Sequence, residues 1–221
     1  PLLAELVERF GMAWELHRVG VRERMVVACS REMWCAADLL NRVELGELDV
    51  DVVALVSDKQ RAAPLAARHE VPFVLVDGGL AGDERAVQEA ALTRALDELA
   101  PDLVVLARYM RILPESITSA WAGRMINIHH SFLPAFPGAR PYHRAHERGV
   151  KLIGASAHYV TAELDAGPII AQGVVTVTHR DEVEDLVRKG REVERTTLAE
   201  AVRLHLEHRV LVWGNRTCVF A

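Results

Sequence analysis

The 221-residue chain carries 50% hydrophobic and 26% charged residues with a formal net charge of -5, the balance of a globular protein with one sizeable core. Nucleic acid is disfavoured as a partner, since binding it needs a basic footprint. No apolar run approaches the 18 or so residues of a membrane span. The start, "PLLAELVERFGMAWELH", is amphipathic and interrupted by charge rather than built as a signal peptide. Cys29, Cys35 and Cys218 form no even framework and no CxxC pair, which suggests a reducing cytoplasm, and their spacing suits no zinc site.

Residues 1–20 read as a helix, a turn at Gly11 and a strand, two elements that cannot bury their faces on each other. From there short β-branched runs alternate with helix-period segments. "RMVVACS" (24–30), "DVVALVS" (51–57), "PFVLV" (72–76) and "DLVVLA" (102–107) read as buried strands. Helices are expected over 34–44, 61–69 and 83–99, the last opening on Asp83 and Glu84, where a helix start favours acid. That rhythm argues βαβ units and a mostly parallel, doubly wound sheet. A helix at 114–120 leads to a strand at 124–128, and Pro141 opens another helix that ends at Gly149. "LIGASAHYV" (152–160) and "IIAQGVVTV" (169–177) flank the turn "TAELDAGP". A long helix (181–208) and a small hairpin around Gly214 and Asn215 close the chain.

The stretch "RMINIHHSFLPAFPG" (124–138) puts Asn127, His129 and His130 at a strand end and then forbids regular structure with Pro134, Pro137 and Gly138. It is either a surface turn that happens to hold histidine or an active-site loop. Ligands of open parallel sheets sit outside the carboxyl ends of the strands, where Asn127 and His129 are expected, and the 161–168 turn brings the loop acid Asp165. Asn offers a neutral N–H donor to a developing oxyanion, His passes protons near neutrality, and Asp holds a water or an imidazolium. The set suits attack on an acyl carbon and needs no metal.

Other polar residues read more plainly. His158 is mid-strand and expected to be a satisfied core histidine; His130 is expected to point away from the site. Arg140, His143, Arg144, His146, Arg148 and Lys151 read as a solvated helix face with some pull on an anionic ligand tail. Cys35 reads as a buried helix cysteine rather than a nucleophile. "CSREMWCAADLL" after the first strand lacks the glycines of a phosphate cradle.

"NIHHSFLPAFPG" together with "GASAHYVTAELDAGPII" resembles the formyltransferase superfamily that uses 10-formyltetrahydrofolate. "LARYMRIL", "GARPYHRAHERGVKLIGASAHYV", "KGREVERTTLAEAVRLHLEHRV" and "VWGNRTCVF" resemble its formyltetrahydrofolate deformylases. The likeness covers essentially the whole chain. It implies a Rossmann-like formyltransferase fold over 21–221, with 1–20 as the final helix and strand of an N-terminal ACT domain. It implies catalysis by Asn127, His129 and Asp165, and a pterin lying along Met110, Arg111, Ile112, Leu113 and Val160, with backbone groups near Ala162 and Glu163.

The implied reaction is hydrolysis of 10-formyltetrahydrofolate to formate and tetrahydrofolate, with formate available to purine synthesis. The implied protein is a cytoplasmic homo-oligomer that needs no cofactor or metal and has a folate as its small-molecule partner. Two alternatives stand beside it: formyl transfer to an amine, and a non-catalytic folate-binding relative. Two departures bear on the choice. Met33-Trp34 replaces the family's usual residues, a His among them, before the first-loop cysteine, where it is expected to fill an acceptor's space. Ala162 replaces a common acid in the pterin turn.

Overall fold

A computed structural model of the protein describes residues 2–11, 16–18, 20–76, 84–134 and 141–220. Five strands lie parallel: β1 (Glu23–Cys29), β2 (Val50–Ser57), β3 (Phe73–Leu75), β4 (Leu103–Leu106) and β5 (Met125–His129). Two more, β6 (Leu152–Tyr159) and β7 (Ile169–Thr176), continue the sheet antiparallel. The strand order is β3-β2-β1-β4-β5-β6-β7. Strand order reverses between β1 and β4, the switch point of a doubly wound sheet.

The helices are α1 (Leu2–Phe10), α2 (Trp34–Glu44), α3 (Ala63–Arg68, after a short 3-10 turn at Gln60–Ala62), α4 (Glu84–Leu99), α5 (Glu115–Ala120), α6 (Pro141–Arg148) and α7 (Val183–Leu206). The hairpin is β8 (Val210–Trp213) with β9 (Arg216–Val219). The expected elements are therefore present within a few residues. The expected strand after Gly11 falls partly on residues 12–15 and 19, outside the described residues, and 16–18 take no strand. Most of residues 4–10 are exposed, Phe10 among them; contact with the main body is made at His17, whose ring stacks on His208.

Alternation along each strand divides the core into two layers. Met25, Val27, Leu103, Val105, Ile126 and Ile128 pack against Leu39 of α2 and Leu198 and Val202 of α7. Val26, Ala28, Val104, Leu106 and Met125 face the other way, onto Leu92 and Leu96 of α4 and Ile117 of α5. On this second face the apolar layer ends at Met125. The next two residues of the same parity are Asn127 and His129, so the helices leave a polar stretch of sheet to be walled by loops. Among the described residues no helix is long and apolar enough to cross a membrane.

α6 and α7 meet through Tyr142 and Gly190. A methyl group at Gly190 would overlap the Tyr142 hydroxyl and ring, so the contact requires the missing side chain. Tyr142 in turn donates its O–H to Glu194, one turn further along α7, at 2.7 Å. Gly190→Ala should push Tyr142 off Glu194 and lower unfolding free energy by about 1–3 kcal/mol, the usual cost of overpacking. Urea denaturation of the two proteins measures this, and an unchanged midpoint would show that the helices can part freely.

Candidate active site

The site grows out of β5. Asn127 and His129 share one sheet face, and the antiparallel register sets His158 of β6 directly opposite Asn127. Since β6 runs backward, the turn after it starts beside Met125, where the Val160 N–H bonds the Met125 carbonyl. To reach His129 the turn must fold back along the strand. Two tight features allow this. Asp165 itself takes a left-handed backbone (φ +55°), uncommon for a residue with a side chain. At Gly167 a Cβ would run into the Tyr159 carbonyl. The turn is tied down by Thr161 Oγ1 donating to the Glu163 carbonyl (3.1 Å) and by Asn215 of the hairpin donating to the Ala166 carbonyl (2.9 Å).

Asp165 thereby sits between two imidazoles. Its Oδ2 is 3.1 Å from His129 Nδ1, and its Oδ1 is 3.8 Å from His158 Nε2. His158 Nδ1 lies 2.9 Å from its neighbour's carbonyl at Tyr159, and its Nε2 lies 3.2 Å from Asn127 Nδ2. With the Nδ1 proton given to the carbonyl, Nε2 is an acceptor and fixes the Asn127 amide with its NH₂ inward, leaving one N–H for a ligand. His129 Nε2 is buried and has no hydrogen-bond partner. A buried polar atom without a partner carries a cost, so this nitrogen is a place where a bound group would be held.

These residues line a cleft of about 910 Å³. All the residues expected from the sequence are in its wall: Asn127, His129 and Asp165, then Met110, Arg111, Ile112, Leu113, Val160, Ala162 and Glu163. The 108–113 loop is anchored by the Met110 N–H on Ser30 Oγ (3.1 Å) and by Arg111 Nε on Asp58 Oδ2 (3.0 Å). Arg111 is thus tied to the end of β2, while the side chains of Met110 and Ile112 stand exposed as an apolar lip.

Several expectations change. His158 is buried as expected for a core residue, but its partners are Asn127 and Asp165, so it belongs to the site. His130 does not point away; it lines the cleft, 5.2 Å from the His129 ring and 6.3 Å from Tyr142. Burial first, then the Arg108 charge and His129, push its pKa down to about 3, so it is neutral at ordinary pH. Met33 and Trp34 are not in the cleft wall; they pack on the core beside α7, with Trp34 Nε1 donating to Glu194 Oε2 at 2.9 Å. Arg140 lies outside the described residues; His143, His146, Arg148 and Lys151 are exposed as expected, whereas Arg144 is half-buried with its Nε covered. Cys35 is buried, and burial raises its thiol pKa, as expected for an inert cysteine. No group of three or more His, Cys, Asp or Glu residues with metal-binding placement occurs among the described residues.

Hydrogen bonding from His129, the largest influence, outweighs partial burial and holds the Asp165 carboxyl well below the usual carboxylate range. A carboxyl depressed on folding stabilises the fold above its unfolded pKa, about 3.9 for Asp, and this contribution is lost as pH falls through the lower folded value. The stability gap between the native protein and Asp165→Asn should therefore be constant above about pH 4.5 and narrow in more acid solution. Denaturant unfolding across pH 2.5–7 checks this; a gap independent of pH would mean the pair adds nothing to stability.

The sequence matches the formyl transferase family over residues 23–202. It is 47% identical over 218 residues to formyltetrahydrofolate deformylase of Synechocystis sp., covering 99% of this chain and 76% of that one. The Bacillus subtilis enzyme of the same name is 45% identical over 217 residues, covering 98% and 72%. The fold superposes on the crystal structure of a formyltetrahydrofolate deformylase from Pseudomonas syringae pv. tomato with a TM-score of 0.94 at 47% identity, covering 99% of this chain and 73% of that one. Glycinamide ribonucleotide transformylase 1 from Symbiobacterium toebii gives 0.84 at 33% identity, covering 94% and 99%. With strand order, cleft and these likenesses in agreement, the chain belongs to the formyl transferase family and, within it, to the formyltetrahydrofolate deformylases.

Proposed function

We propose that the cleft binds 10-formyltetrahydrofolate and hydrolyses it to formate and tetrahydrofolate, with Asn127, His129 and Asp165 acting on the formyl group. The observation that carries this reading is the His129–Asp165 pair: one imidazole nitrogen faces a carboxylate and the other is buried with no partner. The pterin lies along the 110–113 loop and Val160, with polar backbone near Ala162 and Glu163 to read its edge.

Asp165 is too acidic to be an effective base for water, because a base works best with a pKa near the working pH. Its task is to hold the His129 ring and to stabilise the imidazolium. His129 Nε2 takes a proton from water as the oxygen bonds to the formyl carbon. The carbonyl electron pair moves onto oxygen, where the free Asn127 N–H and the new imidazolium N–H meet it. Collapse breaks the bond from carbon to N10, and the same proton passes to N10. Tetrahydrofolate and formate leave, with one further proton released to solvent.

No metal or cofactor enters these steps, so dialysis against a strong chelator should leave activity intact; loss restored by zinc would overturn the point. The reading also carries a homo-oligomer, for which the exposed Leu211, Trp213 and Phe220 of the hairpin region offer apolar surface.

His129→Ala or Asp165→Asn should lower turnover by roughly 10²-fold or more, and Asn127→Ala by about 10²-fold, while the proteins stay folded. Formate and tetrahydrofolate should appear at full rate with no amine present, and glycinamide ribonucleotide should not raise that rate. Negligible hydrolysis alone, with formylated product in stoichiometric yield once an amine is supplied, would replace this reading with transfer.

A further inference from the structure

One cation at the site has no task in these steps. Arg108 follows β4 at the switch point and takes a left-handed backbone (φ +65°). Its carbonyl accepts the Ser30 N–H at 3.3 Å, which fixes it to the end of β1. Its side chain is only 11% exposed, yet Nε and Nη1 have no hydrogen-bond partner. Glu194 balances the charge without satisfying the donors. Its Oε2 is 3.6 Å from Arg108 Nε, beyond hydrogen-bond distance, and its two oxygens are already held by Trp34 and Tyr142. The guanidinium carbon lies 5.4 Å from the centre of the Trp34 ring. Arg108 also lines the cleft beside His129 and His130.

A buried guanidinium with unmet N–H groups, on a side chain that lines a reaction cleft, is suited to a small planar anion. Resting on the hydrolytic reading, the chemistry supplies such an anion one step from this point. Formate forms at a carbon flanked by Asn127 and His129, and Arg108 lines the same cleft with N–H groups unmet. The other arginine of the cleft wall, Arg111, is paired with Asp58. We propose that Arg108, braced by Glu194 and Trp34, is the binding site for product formate on its way out of the cleft.

The Arg108 guanidinium is turned toward Glu194 and Trp34 and is no part of the pterin wall proposed above, which starts at Met110. Its loss should therefore spare folate binding. The fixed planar fork matters as well as the charge, so lysine is an incomplete replacement.

The test uses ¹³C-formate as the probe, followed by NMR line broadening at constant ionic strength kept with chloride, together with product inhibition of hydrolysis. The native protein should bind formate saturably, and formate should inhibit hydrolysis over the same concentration range. Arg108→Gln should weaken formate binding at least tenfold and Arg108→Lys by a smaller factor, with KM for the folate changing less than twofold in both. Should Arg108→Gln fail to fold, Arg108→Lys still decides, because it retains the charge that balances Glu194. Native-like formate affinity in a folded variant, or no saturation in the native protein while hydrolysis proceeds, would overturn the proposal. Saturable formate binding lost with Arg108, in a protein that hydrolyses no folate, would support the anion site while sinking the hydrolytic reading.

Discussion

The placement of Asp165 between His129 and His158 is the constraint on which the site depends, and it is costly to arrange. One carboxylate must reach two imidazoles on neighbouring antiparallel strands, so it can come only from a segment crossing the face of both. The strand order permits this because β6 reverses direction and its following turn starts at the wrong end of β5. The turn then has to double back, which it does with a left-handed Asp165 and a glycine pressed on the Tyr159 carbonyl. With β6 antiparallel, it is this fold-back that lays the turn across both strands and their two imidazoles. The antiparallel edge is therefore part of how the site is made.

How much of this the sequence discloses follows from what each feature depends on. Strands and helices were legible because hydrophobic runs and their periods are local, and Asn127, His129 and Asp165 stood out because their types matched a chemistry and a family. The role of His158 was hidden by the same alternation that makes it look like core. Its meaning lies in register, and register depends on which residue of β5 stands opposite. Arg108 was hidden for a related reason: "LARYMRIL" reads as the end of a strand, and only the fold shows its guanidinium crossing to α7. Met33 and Trp34 were expected to block an acceptor. The indole instead turns to Glu194, since an indole N–H buried near an uncapped carboxylate gains a charge-assisted bond there.

That bond has a consequence for the choice between water and an amine. Glu194 is fully buried on α7, and its two oxygens accept from Trp34 and Tyr142 while Arg108 faces it. Two accepted bonds leave such a carboxylate lone pairs to spare, but Glu194 is not among the residues lining the cleft, and displacing either donor to expose it would leave a buried N–H or O–H unpaired. A transferase gains its advantage by holding the amine beside the carbon. Here the side of the cleft nearest α7 offers a guanidinium, which repels a protonated amine and attracts an anion. Discrimination against transfer then arises from charge as well as from the absence of a glycine-rich phosphate loop.

Charge also bears on how the product leaves. Asp165 is held as a carboxylate by its bond from His129, and His130, pushed down to about 3, adds no positive charge. On the proposed route a proton moves from water to His129 as the oxyanion forms, so the net charge of the centre does not change and the imidazolium and Asn127 meet the oxyanion. Once that proton has passed to N10 and formic acid has lost its own, a second carboxylate stands near Asp165. Two like charges in a low-dielectric cleft repel more strongly than in water, so formate is driven from the Asp165 side once the C–N bond has broken. If Arg108 holds formate as proposed, that repulsion is relieved toward a cation lining the same cleft, and product departure draws on the same charge that keeps Asp165 in place.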